Sequence, residues 1–249
     1  MLELKNLKIV LSQADLAKIP QQKTLINTIN AFSYNNAQED SLFAEALRNG
    51  DYLIPDGASI VKACRKIKAK SQPIERIAGW DLFVFEMNSL NERSRKAVED
   101  GGTKLKVMFM GSSEKVLSLI RERATKDYPN LEVATYSPPY KPEFSEEDSN
   151  AIINAINSEN PDLLWIGMTA PKQEKWTYSH WDKLNIHCHV GTIGAVFDFF
   201  AGTAKRAPLW WQKHSLEWLY RLIKEPKRFK RMLRLPKYLW AVVLQRIRG

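Results

Sequence analysis

Polar residues that could take part in chemistry follow short apolar stretches of this chain. Asp56 stands between Pro55 and Gly57, in the turn that follows the apolar stretch 51–54. A carboxylate of ordinary pKa, about 3.9, is ionised at neutral pH and can accept a proton from a hydroxyl group. An Asp-Gly pair also forms turns in which the carboxylate bonds its own backbone, so the spacing alone leaves a structural alternative open.

Three other polar side chains stand in similar places and offer hydrogen bonds. Thr28 and Asn30 are two positions apart at the end of an apolar stretch, so in a strand both side chains point the same way. Gln173, whose amide both donates and accepts, follows the apolar stretch 162–166. Together with Asp56 they predict a polar site.

Two histidines flank Cys188. The period of a strand places His187 and His189 on one face, as a pair of metal ligands would be. No third ligand stands at a fitting spacing, so we predict structural histidines and no metal site.

The elements that must position these residues alternate along residues 1–204. Apolar runs with the composition of strands buried on both faces are predicted at 5–11, 23–29, 51–54, 105–110, 131–136, 162–166 and 186–190. Helices are predicted between them, at 37–49, 58–69, 80–99, 113–127, 145–157, 171–183 and 194–201. Such alternation predicts an α/β fold of the Rossmann-like kind, with helices on both faces of a mostly parallel sheet.

Turn-forming and polar residues gather at the carboxyl ends of these predicted strands. Asn30, Asp56 and Gly111 each follow a strand, as do the loops that begin at Gly167 and Gly191. Ligands of open parallel sheets bind at that edge. The sequence therefore predicts one site built from several loops.

The chain from 205 to 249 differs from the rest in charge. It holds thirteen Lys or Arg residues and two Glu residues, a net charge of +11 within a chain of +9, which leaves −2 for residues 1–204. We therefore predict an α/β domain at 1–204 and a basic amphipathic helical appendage at 205–249.

The apolar residues of the appendage recur at roughly helical spacing and include several tryptophans, with Lys and Arg among them. This pattern is typical of helices that lie in a membrane interface, where each cation contributes about 1 kcal/mol at an anionic surface. The alternative is that these faces pack onto the body or onto a second subunit, and a homo-oligomer would mask them.

Composition bounds the remaining possibilities. With 249 residues, 44% of them hydrophobic, the chain can bury a sizeable core.

Cys64 and Cys188 argue against a disulfide framework and suit a reducing compartment. The N-terminal residues lack the pattern of a signal peptide, and no apolar run approaches the roughly 20 residues that span a bilayer. We expect a cytosolic protein or one held on the cytoplasmic face of a membrane.

Five blocks of sequence, taken together, resemble the WecG/TagA/CpsF glycosyltransferases. The resemblance extends from about residue 28 to residue 234, and its blocks are Pro-Asp-Gly at 55–57, Arg-Ile-Ala-Gly-Trp-Asp at 76–81, Met-Phe-Met-Gly at 108–111, the Pro-Lys-Gln-Glu-Lys-Trp run of 161–176, and the Phe-Asp-Phe, Arg-Ala-Pro and Glu-Pro-Lys-Arg pieces of 195–228. The Pro-Lys-Gln-Glu and Phe-Asp-Phe…Arg-Ala-Pro pieces are specific in combination.

The resemblance implies an inverting hexosyltransferase without a cofactor. Such an enzyme moves a sugar, N-acetylmannosamine or a related hexose, from a UDP-sugar to a polyprenyl-diphosphate-linked sugar. The products are teichoic acid, capsule or exopolysaccharide of the bacterial surface. It implies a peripheral enzyme on the cytoplasmic face of the inner membrane, with an appendage that helps complete the site.

The resemblance also assigns roles to individual residues. Asp56 matches the family's proposed catalytic carboxylate, here the base that takes the proton of the acceptor hydroxyl. Thr28 and Asn30 match positions near the sugar, and Gln173 matches a position near the transferred sugar or the acceptor.

Cations are expected to stabilise the departing diphosphate. Many glycosyltransferases use a divalent ion held by Asp-x-Asp, and this chain contains no such pair. Arginine is the natural substitute, because its planar fork binds phosphate oxygens in pairs. Arg221, Arg228 and Arg231 match appendage positions that reach toward the diphosphate, and Arg76 matches another arginine near the site. Any single tail arginine has the alternative of a solvated or lipid-facing charge.

Three further residues are candidates for contact with the nucleotide. Gly111 would let backbone amides approach phosphate or ribose, and Tyr136 could stack on uracil or be an ordinary half-buried tyrosine. Asp198 stands between Phe197 and Phe199, where an unpaired carboxylate would be costly. It binds the base or ribose, or is the buried partner of Arg206.

Two other functions compete with catalysis. A net charge of +9 and eight Trp would suit a nucleic-acid-binding protein, but the cations lie among helical apolar faces and no nucleic-acid-binding motif is present. A non-catalytic protein of the same fold that binds a UDP-sugar without transferring it is the second alternative.

Overall fold

The computed structural model describes residues 2–214, 216–224, 229 and 233–247. Its strands form one six-stranded sheet in the order β2-β1-β6-β5-β3-β4, and each neighbouring pair is parallel. The strands are β1 (Thr24–Ile29), β2 (Tyr52–Pro55), β3 (Lys106–Gly111), β4 (Glu132–Tyr136), β5 (Leu163–Gly167) and β6 (His189–Thr192). The predicted α/β fold with a parallel sheet is confirmed.

Helices connect and cover the strands. Before β3 they are α1 (Ala31–Glu39), α2 (Ser41–Asn49), α3 (Ala58–Lys66) and α4 (Gly79–Glu99). From β3 to β6 they are α5 (Glu114–Asp127), α6 (Glu146–Glu159) and α7 (Lys172–Ser179). After β6 they are α8 (Gly194–Ala201), α9 (Leu209–Lys213), α10 (Glu217–Lys224) and α11 (Leu235–Ile247).

Both faces of the sheet are buried, as the continuous apolar runs of its strands require. Alternate residues of β3 show the division: Val107 and Phe109 join the hydrophobic cluster under α4, α5 and α8, whereas Met108 and Met110 join the cluster under α6 and α7. This period-two division fixes the register of the central strands, since a one-residue slip would exchange the two faces.

The segment 5–11, predicted as a strand, makes only one isolated bridge to the sheet. Ile9 pairs with Leu53 of the edge strand β2, and a 3₁₀ turn occupies Leu4–Asn6. Leu4 and Leu7 are both buried, and their spacing of three suits a turn rather than a strand. The prediction of a regular strand was therefore wrong.

The helix predicted at 37–49 is two helices. α1 begins earlier because Asn30 caps it: its Oδ1 accepts hydrogen bonds from the backbone N–H groups of Phe32 and Ser33, each at 3.0 Å. Asp40 separates the helices and caps α2 through a 3.0 Å hydrogen bond from the N–H of Phe43. Asp40 thus breaks a run whose composition alone reads as one helix.

The last helix, α11, packs onto the N-terminal part of the body. Tyr238 and Val242 are buried in a cluster with Tyr34, and the rings of Tyr34 and Tyr238 meet edge to face at 5.5 Å. The hydroxyl of Tyr238 donates to the carbonyl of Ser59 at 3.0 Å, and Gln245 donates to the Tyr34 hydroxyl. One face of the predicted appendage therefore packs on the body, as the alternative interpretation expected.

His189 forms a buried ion pair with Glu86. Its Nδ1 lies 3.0 Å from Oε1 of Glu86, and its Nε2 lies 2.8 Å from the carbonyl oxygen of Pro20. Burial alone would lower the pKa of His189, but the hydrogen bond and charge of Glu86, with the Pro20 carbonyl, raise it above 6.5. Two acceptors require two N–H groups, so the ring is held in its charged form.

His187 does not share the strand face with His189. It is exposed, and β6 begins only at His189. The expectation of two histidines on one face was wrong because the strand is shorter than the apolar run. Within the described residues, no group of three potential ligands could hold a metal ion.

The His189 pair makes stability depend on pH. The folded state binds this proton more tightly than the unfolded state does, so the free energy of unfolding should fall as pH rises above about 6.5, at no more than about 1.4 kcal/mol per pH unit. In Glu86→Gln the amide can donate to a neutral ring, and this fall should disappear. Urea denaturation of both proteins from about pH 6 to 9 measures the difference, and identical profiles would contradict the assignment.

Candidate active site

The crossovers of the sheet diverge between β3 and β5. β3 leads outward to the edge strand β4, whereas β5 leads back toward β6, so the loops after β3 and β5 leave a crevice at the carboxyl edge. Gly111 and Gly167 are register partners at that point. Gly111 has a φ of +121°, and a Cβ there would overlap the carbonyl oxygen of Gly167. Close approach of the two strand ends explains this glycine; its contact with a ligand stays a prediction.

Gln173 joins the loops after β5 and β6. Its Oε1 accepts hydrogen bonds from the N–H of Met168 at 3.2 Å and of Gly194 at 3.1 Å, and the side chain is buried. A Cβ on Gly194 would overlap the Met168 carbonyl oxygen, so the glycine permits this approach. The amide holds the floor of the site together, and its predicted contact with a sugar stays a prediction.

Glu174, beside Gln173, is a buried acid that the sequence did not single out. Its Oε1 accepts a 2.8 Å hydrogen bond from Nε2 of Gln173, whereas Oε2 is buried and has no hydrogen-bond partner within the described residues. Burial raises the pKa of this carboxyl to about 7. The pair therefore fixes the orientation of the Gln173 amide, whose oxygen must face the two backbone N–H groups.

Thr28, Asn30 and Asp56 come together at the ends of β1 and β2. Thr28 is the register partner of Ile54, and a Cβ on Gly57 would lie 3.5 Å from Cβ of Asn30. Asn30 and Asp56 are partly exposed, which leaves this end of the edge open to a ligand. The three residues lie near one another, and their contact with substrate stays a prediction.

Arg76 lies next to Asp56. The backbone N–H of Ile77 donates to the carbonyl of Pro55 at 3.1 Å, which holds the segment of Arg76 against the end of β2. Nε of Arg76 is 4.0 Å from Oδ1 of Asp56, and its Nη2 is 3.0 Å from Oε2 of Glu217 at the start of α10. The predicted arginine is thus beside the predicted base and is joined to the appendage.

Arg206 extends this network on the far side of Glu217. Its Nε is 3.5 Å from Oε1 of Glu217, and its Nη2 is 3.8 Å from Oδ1 of Asp81. The guanidinium also lies over the ring of Trp80, 5.6 Å from its centroid. These partners lie far apart in sequence, so no local pattern could have revealed them.

Asp198 is not the buried partner of Arg206. Helix α8 turns Phe197 and Phe200 into the core, and Asp198 on the opposite side is exposed, with the Thr203 hydroxyl 3.2 Å from its Oδ1. The alternative of a buried ion pair was wrong because the three aromatic neighbours in sequence point to different sides of a helix. A role of Asp198 in nucleotide binding stays a prediction.

Tyr136 ends the edge strand β4, at the other end of the site. It is half-buried against the cluster that contains Met108 and Met110. Five strand spacings separate β4 from β2, roughly 24 Å. The structure therefore does not bring Tyr136 together with Asp56, and its predicted stacking on uracil stays a prediction.

The three predicted arginines of the appendage are not placed by the structure. Arg221 belongs to α10, but its side chain is not among those described, and Arg228 and Arg231 lie outside the described residues.

Comparison with known proteins gives consistent matches. The family model described as glycosyl transferase WecG/TagA/CpsF family matches residues 4–249. An N-acetylglucosaminyldiphosphoundecaprenol N-acetyl-beta-D-mannosaminyltransferase of Bacillus spizizenii is 30% identical over 208 residues, 83% of this chain and 74% of that protein. The protein of the same name from Bacillus subtilis is 30% identical over 88% of this chain and 78% of its own length. That of Staphylococcus aureus is 26% identical over 87% and 78%.

The buried carboxyl of Glu174 should destabilise the protein as it ionises. Its pKa is about 7 in the folded state, against an ordinary value of 4.5. The free energy of unfolding should therefore fall by about 3 kcal/mol as pH rises through that interval. Glu174→Gln should lack this fall, whereas the exposed Glu147→Gln should keep it. Urea denaturation between about pH 4 and 8 measures all three proteins, and a wild-type fall retained in Glu174→Gln would refute the assignment.

Proposed function

The chain belongs to the WecG/TagA/CpsF glycosyltransferase family, and we propose that it transfers N-acetylmannosamine or a related hexose from a UDP-sugar to a polyprenyl-diphosphate-linked N-acetylglucosamine. The family match over nearly the whole chain carries this proposal. The relatives named above bear that acceptor and that sugar in their names, and the product serves synthesis of a cell-surface polysaccharide such as teichoic acid.

Asp56 is the proposed base of this reaction. Its side chain is 32% exposed at the carboxyl end of β2, so an acceptor hydroxyl can reach it. The carboxylate takes the hydroxyl proton while the acceptor oxygen bonds to the anomeric carbon and the bond to UDP breaks on the opposite side. This displacement inverts the anomeric centre, and the proposed role of Thr28 and Asn30 is to orient the sugar.

Charge that develops on the departing diphosphate needs cations close to it. Arg76 lies beside Asp56, and Arg221, Arg228 and Arg231 belong to the strongly basic part of the chain that follows. Guanidinium groups can supply this stabilisation without a divalent ion, since each fork can bind two phosphate oxygens. Gly111, Tyr136 and Asp198 remain proposed contacts of the nucleotide along the same edge.

The proposed division of labour places catalysis in residues 1–204 and completion of the site in residues 205–249. Glu217 supports it, because it joins α10 to Arg76 of the body at 3.0 Å. The docking of α11 on α1 shows in addition that the appendage is anchored at its far end.

Membrane association is proposed for the outer faces of the appendage helices. Leu239, Trp240 and Ile247 of α11 are 56%, 64% and 74% exposed, and Leu209 and Trp210 of α9 are exposed as well. Cations flank these side chains, and the polyprenyl chain of the acceptor resides in a bilayer. We place the enzyme peripherally on the cytoplasmic face of the inner membrane. Among the described helices none is long and apolar enough to cross a bilayer.

A homo-oligomer that covers the same faces competes with this proposal. Exposed apolar side chains of this size also mark contacts between subunits. Sedimentation of the protein with and without lipid vesicles separates the two explanations.

Replacement of the proposed base should abolish transfer while binding survives. Asp56→Asn should reduce the transfer rate from UDP-N-acetylmannosamine to a polyprenyl-diphosphate N-acetylglucosamine by about 10²- to 10⁴-fold, because the amide cannot take the proton. UDP should still bind to this variant. The exposed Asp100→Asn is the matched control and should transfer at the wild-type rate.

Two results would contradict this assignment. Wild-type turnover by Asp56→Asn would remove Asp56 as the base. UDP binding by the wild type without transfer to any polyprenyl acceptor would instead favour the non-catalytic alternative.

A charge placed on the outer face of α11 should weaken membrane binding. Trp240→Glu should reduce affinity for vesicles of anionic phospholipid by about tenfold or more, since a large buried apolar side chain contributes about 1.5–3 kcal/mol. Tyr140→Glu is the control, because Tyr140 is fully exposed in the loop after β4, away from the appendage. Vesicle co-sedimentation measures both, and equal losses in the two variants would argue against a specific membrane face.

A further inference from the structure

One carboxylate occupies the space between two guanidinium groups beside the proposed base. Oε2 of Glu217 lies 3.0 Å from Nη2 of Arg76, and its Oε1 lies 3.5 Å from Nε of Arg206. The three side chains are 14%, 19% and 19% exposed, in the order Glu217, Arg76, Arg206. Each oxygen of the carboxylate thus faces a different cation in a partly desolvated place.

The two cations are positioned by parts of the chain other than α10. Arg76 is held by the backbone hydrogen bond from Ile77 to Pro55 at the end of β2. Arg206 lies over Trp80 and precedes Ala207, which is only 2% exposed. The chain segments that carry the two arginines are therefore positioned by contacts that do not involve Glu217.

The carboxylates around the two arginines lie at different distances from them. Asp56 is 4.0 Å from Arg76 and Asp81 is 3.8 Å from Arg206, both longer than the 3.0 Å central contact. Asp56 and Asp81 orient the guanidinium groups from outside, while the carboxylate of Glu217 occupies the position between them. Two converging forks are the arrangement that binds a phosphate group in proteins, through pairs of N–H···O contacts.

We propose that Arg76 and Arg206 form a subsite for a phosphate group of the donor diphosphate, and that Glu217 fills this subsite until the donor displaces it. The identity of the ligand rests on the proposed function; the subsite itself rests on the geometry. A phosphate group carries more charge and more acceptor oxygens than a carboxylate, so it competes successfully for the same two forks. Donor binding then breaks the contacts of Glu217 with the two arginines.

A purely structural role of Glu217 predicts the opposite result. If the carboxylate only docks α10, loss of its charge should loosen the helix and weaken donor binding. If it competes with phosphate, loss of its charge should strengthen donor binding. The sign of the change in affinity therefore decides between the two.

The test uses the full chain and isothermal titration with UDP. Glu217→Gln keeps the shape of the side chain and removes its charge, and it should bind UDP roughly tenfold more tightly than the wild type, since hydrogen bonds to charged groups contribute about 1.5–3 kcal/mol. Arg206→Ala should bind UDP roughly tenfold more weakly for the same reason. Uridine, which lacks phosphate, should bind all three proteins equally.

Two matched controls carry the same chemical changes elsewhere. Glu159→Gln removes a carboxylate that pairs with Lys106 at 2.8 Å, and Arg95→Ala removes an exposed arginine paired with Glu92 and Glu99. Both should bind UDP as the wild type does. Glu217→Asp withdraws the carboxylate by one methylene group and should give an intermediate gain, which keeps the test decisive if Glu217→Gln fails to fold.

The outcomes separate this inference from the proposed function. Unchanged or weaker UDP binding by Glu217→Gln and Glu217→Asp would overturn the displacement of Glu217, even if transfer activity is present. If the wild type does not bind UDP, the proposed donor is wrong, and titration with inorganic pyrophosphate takes its place. Tighter pyrophosphate binding by Glu217→Gln would then still support the subsite, and no gain would overturn it.

Discussion

A wholly parallel sheet imposes the constraint on which the rest of the structure depends. Since all strands run the same way, their carboxyl ends all lie at one edge of the sheet. The loops at that edge are held by side chains, because the hydrogen bonds between strands end there. Asn30 does this after β1 by capping α1, and Gln173 does it between β5 and β6. Glu217 then joins this edge to the basic end of the chain. The side chains that hold these loops in place thus also lie at the candidate site.

The strands of the sheet could be predicted because each is a short apolar run closed by turn residues. The same signal failed at 5–11, where the buried leucines are spaced for a turn and lie under the helices instead of in the sheet. It failed again at the boundary of α1 and α2, because the cap Asp40 decides that boundary and apolar spacing does not record it. The prediction thus failed where turns and caps decide the ends of helices and strands, and it succeeded in their apolar interiors.

Residues of the site differ in how far the sequence reveals them. Thr28 near the end of β1 and Asp56 after β2 could be placed from the predicted strands alone. The partners of Arg206 could not, because Asp81 and Glu217 meet it only through the fold. The hydrophobic neighbours of Asp198 were misleading, since helical periodicity turns adjacent residues to different sides. The topology of the fold decides which charges distant in sequence become partners, and the composition of the chain does not predict such pairs.

The docking of α11 on α1 has a consequence for the order in which the protein forms. Slightly more than two hundred residues separate Tyr34 from the helix that covers it, so the apolar face around Tyr34 stays open while the intervening chain is being synthesised. At a synthesis rate of about 5–20 residues per second, α11 is synthesised roughly 10–40 s after Tyr34. This face can therefore close only after α11 has been synthesised.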